Sequence, residues 1–146
     1  MHEAIQLVAV LTCTLFTGAA IYINLVEHPA RMGCSTELAA TVWAPSYKRA
    51  TVMQVTLALL SAAAGVFSWL TSGEVSWLVG ALLIFSVIPF TLIAIMPTNK
   101  KLLDPNLGRA SDATRALLQK WASLHAVRSV LSLAASIIFL ISILSQ

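Results

Sequence analysis

Four long stretches of this sequence carry almost nothing that prefers water. Residues 4–26, 50–71 and 75–96 contain no Asp, Glu, Lys or Arg, and residues 129–144 add a fourth uncharged run of 16. A helix rises about 1.5 Å per residue and needs roughly 20 apolar residues to cross hydrocarbon. The first three stretches meet that length and the fourth is slightly short. Hydrocarbon offers a backbone amide no hydrogen-bond partner, so a spanning segment is either a helix or part of a closed barrel. The period-two alternation of a barrel strand is absent. The expected fold is all-α: an integral membrane four-helix bundle, one domain over 1–146, with spans near 4–26, 50–71, 75–96 and 122–144 and short cytoplasmic helices between them.

Composition removes the alternatives. Apolar residues make up 58% of the chain and charged residues 10%, against about 25% charged in a soluble domain. Such a chain cannot clothe a water-facing surface. The first stretch lacks the basic start of a signal peptide and is too long for one, so it reads as a retained span. Cys13 lies mid-span and Cys34 in the following loop, which argues against a disulfide, and no CxxC or zinc-type spacing occurs.

All nine Lys and Arg residues fall in 28–49 and 97–128. The positive-inside rule makes these the cytoplasmic loops and puts both termini outside, in a periplasm or lumen. The net charge of +3 is spread over two loops without interleaved aromatics, so nucleic acid is not an expected partner. The lipid bilayer is.

Local signals give the loops structure. Ser35 suits the cap of a short helix over 37–43, and Pro45 suits the first turn of the second span. Ser111-Asp112 suits the start of one long helix running to 144. Pro89 removes the bond to the Phe85 carbonyl and predicts a kink. Ser61/Gly65 and Ser132/Ser136 are small pairs fit for close helix contact. Trp69 and Trp77 are expected in interfacial belts. The halves share a pattern: a span ending near a proline, a loop, then Trp-x-x-x-(Tyr/His), as Trp43/Tyr47 and Trp121/His125.

The chemistry gathers at one end. Thr17, Asn24 and His28 follow helical spacing on the first span, Tyr47, Thr51 and Gln54 on the second, and Trp121, His125 and Arg128 on the fourth. Thr91, Thr98 and Asn99 close the third. Counting about 20 residues back from 144 puts Arg128 roughly one turn inside the hydrocarbon edge, where an ionisable group faces the interior and takes a partner. Glu27 is the expected partner. His28 and His125 would share a pocket lined by Tyr47, Gln54 and Asn99. Two other readings stand beside this one: Arg128 snorkelling to headgroups, and a Glu27–Arg128 clamp with no chemistry. His28, His125 and Glu27 could in principle hold a metal ion, or the two histidines a haem, but no spacing supports either, and the expectation is no metal and no cofactor.

The segments Val-Glu-His-Pro-Ala-Arg ending at Arg31, Trp43-x-x-x-Tyr47-x-Arg49, Met-Pro-Thr-Asn ending at Asn99, and Trp121-x-x-x-His125-x-x-Arg128 resemble the four-span membrane proteins grouped with fungal anthrone oxygenases. The resemblance runs the length of the chain in order. It implies an oxidoreductase that turns an aromatic methylene into a carbonyl with O₂, without metal or flavin. On that footing His125 is the base, Arg128 with Tyr47 or Asn99 steadies the oxyanion, and His28 relays the proton. Trp43 and Trp121 would stack on a hydrophobic substrate arriving from the bilayer, with Glu27 and Gln54 also at the substrate. The alternative is a non-enzymatic protein binding a lipid or protein partner. Transport fits poorly, since no Gly/Pro-broken pair of half-helices is evident. The lipid-facing area leaves room for a homodimer.

Overall fold

The computed structural model describes residues 2–145. Four helical rods, His2–Met32, Thr36–Ser72, Val75–Leu102 and Asp112–Leu144, are each long and apolar enough to cross a membrane. Helix α1 (His2–Tyr22) passes through a π-turn, Ile23–Glu27, into α2 (His28–Met32). Helix α3 (Thr36–Ser72) forms the second rod. Helix α4 (Val75–Phe90) passes through a second π-turn, Thr91–Ile95, into α5 (Met96–Leu102), and α6 (Asp112–Leu144) is the fourth rod. Each rod packs on its chain neighbours, and α6 closes the ring against α1. Short connections make neighbours antiparallel.

The expected start at Ser111 holds, with its hydroxyl accepting from the Thr114 amide at 3.2 Å. Ser35 likewise caps its helix, accepting from Leu38 N at 3.3 Å. That helix does not stop near residue 43, however. It runs on for 37 residues with Pro45 inside it, so Pro45 opens no helix. The proline leaves the Thr41 carbonyl without its usual donor. Both residues are exposed, so the carbonyl can find water or a headgroup.

The two π-turns share a cause. Each ends two residues before a proline, Pro29 or Pro97, whose ring has no N–H and crowds the carbonyl four residues back. Those carbonyls belong to Leu25 and Ile93, each at the centre of its π-turn. Widening the turn lets His28 N–H bond to Ile23 O and Met96 N–H to Thr91 O. The rods stay continuous.

The half of the bundle that holds both chain ends is knit by small residues. Ala9, Ala58, Ala62, Ala81 and Ala135 form the core with Cys13, Phe16, Trp77 and Phe139. Ser61 Oγ donates to the Ala9 carbonyl across the helix contact at 2.9 Å, and Thr17 and Ser136 share a hydroxyl bond at 2.8 Å. Trp77 corrects the belt expectation. It is fully buried and stacks on Phe139 at 5.4 Å between ring centroids, because Gly65 and Gly80 leave a slot for that ring. A Cβ on Gly80 would sit 2.5 Å from Phe139 Cε1. Phe139 is fully buried against Trp77 and has little room to yield.

Gly80→Ala should therefore lower stability by about 1–3 kcal/mol through overpacking. Gly18→Ala, whose Cβ meets nothing within 4 Å, should be neutral or mildly stabilising. Thermal unfolding of both variants in one detergent checks the contrast; equal midpoints would contradict it.

Candidate functional site

At the other end of the bundle the first π-turn carries Asn24 to the fourth rod. Its Nδ2 donates to the Ala122 carbonyl at 3.0 Å, which fixes the amide and leaves Oδ1 purely an acceptor. Oδ1 receives Ser129 Oγ at 2.8 Å and lies 2.7 Å from His125 Nδ1. An acceptor there requires the proton on Nδ1, so the neutral His125 ring carries its lone pair on Nε2. His125 is 1% exposed, and among the described residues no protein group bonds to Nε2.

One turn on, Arg128 donates from Nη2 to Gln54 Oε1 at 2.8 Å and lies over the Phe16 ring, 5.4 Å from its centroid. Tyr47 stacks face to face on Trp43 at 4.9 Å, and its hydroxyl receives Asn99 Nδ2 at 3.0 Å. Trp121 meets Trp43 edge to face at 5.7 Å. His28 and His125 both lie against Trp121, at 5.5 Å and 4.9 Å.

Two cavities result. A small one of about 20 Å³ is lined by Trp43, Tyr47, Gln54, Trp121, His125 and Arg128, among others. A larger one of about 80 Å³ lies between α3 and the α4 rod, lined mainly by apolar residues from Phe16 to Met96. Tyr47, Thr51, Gln54 and Arg128 line both. At 10–15 Å³ per water-sized site, the small cavity has room for about one or two waters and the large one for roughly five to eight. Several buried polar atoms here have no protein partner: Gln54 Nε2, Asn99 Oδ1, Trp43 Nε1, Arg128 Nε and both His28 ring nitrogens.

Six of the nine residues given a site role from sequence thus share one cavity, and Asn99 stands behind Tyr47 as its hydrogen-bond donor. Two do not belong there. Glu27 pairs with Arg31 and accepts from Ser46 Oγ at 2.7 Å, so it is not the partner of Arg128. Arg31 sits four residues on, the natural helical neighbour, and claims it first. His28 packs on Trp121 but lines neither cavity. The π-turn explains both shifts: five residues per hydrogen-bonded loop instead of four turns everything beyond it by about 100° relative to an α-helix. Arg31 and Thr51 also line the small cavity, and Phe16 lines the large one. Of these the stripe containing Tyr47 and Gln54 already included Thr51, whereas Phe16 gave no signal. Among the described residues no group of three His, Cys, Asp or Glu side chains is arranged to hold a metal ion, and both cysteines are free.

An antiparallel four-rod bundle of membrane-spanning length, with one oriented histidine and one arginine at its polar end, is the class of protein this geometry defines. The family model described as anthrone oxygenase matches residues 43–138, more than half of the chain, and the chain belongs to that family. Anthrone oxygenase tpcL of Aspergillus fumigatus is 27% identical over 151 aligned residues, covering 97% of this chain and 94% of that one. An anthrone oxygenase of Claviceps purpurea is 26% identical, covering 91% and 84%, and anthrone oxygenase AgnL2 of Paecilomyces divaricatus is 29% identical, covering 91% of each. No solved structure matches the chain significantly.

Asn24→Ala removes the partner of three groups at once and should cost about 1–3 kcal/mol. Thr14→Ala, which breaks only a bond to its own helix, should cost less. Chemical or thermal unfolding separates the two; an Asn24 variant as stable as the parent would mean the amide holds nothing together.

Proposed function

We propose that this protein is a membrane oxygenase that oxidises the methylene of a flat, hydrophobic, anthrone-like molecule to a carbonyl with O₂. The observation that carries the reading is the fixed tautomer of His125, which gives Nε2 a lone pair on the same cavity that Arg128 lines. Membership of the anthrone oxygenase family, with three matching proteins named anthrone oxygenase, supports it.

The chemistry follows from those two groups. His125 Nε2 takes a proton from the activated C–H, and the charge moves onto the ring-conjugated oxygen, where the Arg128 guanidinium stabilises it. The resulting electron-rich carbon reduces O₂ and bonds to it. Loss of water from the hydroperoxide leaves the carbonyl, so one O₂ is consumed and one water released per methylene oxidised. The substrate supplies the electrons, and the reading uses no metal or flavin. The larger cavity, on the scale of a bicyclic or tricyclic aromatic, takes the ring body; the smaller one suits O₂ and the reacting carbon. Trp43 and Trp121 bound that end as flat apolar walls. Tyr47, held by Asn99, is the second hydrogen-bond donor to the oxyanion.

The polar end is assigned to the cytoplasm, with both termini outside, because the basic residues sit at that end. A membrane-impermeant maleimide tests this directly. Cys34 is exposed at the polar end and Cys13 buried, so Cys34 should be labelled only after the membrane is opened. Labelling of intact cells would reverse the orientation.

For the chemistry, purified protein with an anthrone and ¹⁸O₂ should place the label in the new carbonyl, with equal molar uptake of O₂ and substrate. His125→Ala should fall by about 100-fold or more, the usual worth of a general base, in protein that still folds. Full activity of a folded His125→Ala protein, or label arriving from water, would end this reading. Absorbance in the haem region and metal analysis of the active preparation test the metal-free element separately.

A further inference from the structure

The charge on Arg128 is unanswered by the protein. Of the six acidic residues in the chain, only Glu27 lies within 4 Å of a basic group among the described residues, and it is taken by Arg31. Arg128 is 8% exposed, and its fixed neighbours are an amide oxygen and an aromatic face. A buried cation in such a setting is costly without an anion, and Gln54 and Phe16 offset only part of that cost. Arg128 Nε and Gln54 Nε2 remain as unsatisfied donors, both on side chains more than nine-tenths buried. Cations with hydrogen-bond donors arranged around them are a receptor for a carboxylate-, phenolate- or enolate-type oxygen.

The larger cavity supplies the rest of the ligand. It starts at Arg128 and Gln54 and becomes apolar towards Ala58 and Val87. Two of its lining residues, Val55 on α3 and Leu92 in the second π-turn, are 37% and 58% exposed, within the long uncharged stretches 50–71 and 75–96. Its mouth therefore opens sideways, towards the apolar surroundings of the bundle.

We propose that Arg128 is the counter-charge for an organic monoanion whose flat apolar body fills the cavity between α3 and α4 and arrives sideways through the mouth at Val55 and Leu92. This rests on the oxygenase reading only for its biological use: the anion is then the deprotonated substrate or a stable mimic of it, bound more tightly than its neutral form.

The test uses the full chain in nanodiscs of zwitterionic lipid and two fluorescent probes of equal ring size, 9-anthracenecarboxylate and 9-anthracenemethanol, with empty nanodiscs subtracted. The carboxylate should bind about tenfold or more tightly, as a charge-assisted hydrogen bond warrants. Arg128→Gln should bring the two affinities together, and Val55→Trp should weaken both by closing the mouth. Equal binding of the two probes by the parent protein overturns the proposal, even if Arg128→Gln does not fold. So does an anion preference that survives Arg128→Gln, or displacement of the carboxylate by an anionic phospholipid, which would make a headgroup the ligand. Oxygen uptake measured in the same discs separates the two readings. Anion selectivity without turnover removes the oxygenase and leaves this site standing; turnover of an anthrone without anion selectivity does the reverse.

Discussion

A helix in hydrocarbon gains nothing by hiding its apolar side chains from a solvent as apolar as they are. Cohesion has to come from contacts that lipid cannot imitate, and this bundle uses two kinds. In one half, alanines and glycines bring backbones close enough for Trp77 and Phe139 to fill the gaps. In the other, longer polar side chains reach between rods, with Asn24 joining the first to the fourth and Arg128 joining the fourth to the second. The second kind holds polar atoms where water is scarce, so the half cross-linked by an amide and a guanidinium is also the half with polar cavities.

That division gives the site its form. Asn24 holds one ring nitrogen of His125 as a carboxylate does in many hydrolases, which leaves the lone pair on the other. A neutral amide orients the ring without adding charge to the pocket. The positive character of the pocket then belongs to Arg128, while Arg31 is neutralised nearby by Glu27. Two arginines of one sequence, close to the same cavity, thus have opposite electrostatic standing.

The architecture was readable from uncharged stretches alone, and so was the gathering of Tyr47, Gln54, Trp121, His125 and Arg128 around one cavity, because α3 and α6 are regular where those residues sit. What failed lies beyond the π-turns. Spacing by 3.6 residues put His28 at the pocket and the wider turn rotates it away; Glu27, matched to Arg128 by depth, is taken by Arg31 instead. Trp77 misled for another reason: its burial depends on two glycines on different rods, Gly65 and Gly80, which no local pattern links. Pro45 shows that a proline in a long exposed helix can be absorbed where the freed carbonyl reaches a polar medium. The two halves that share a pattern in sequence also share local features in the structure. Both carry a π-turn before a proline, and their tryptophans, Trp43 and Trp121, meet.

The meeting of the halves bears on how the chain is assembled. Synthesis runs from the N-terminus, so Phe16 and Gln54 are made before the segment holding Arg128. The guanidinium therefore need not be stranded in lipid while a partner is awaited. It arrives last, at a berth already furnished, and the pocket comes into being as the final helix docks.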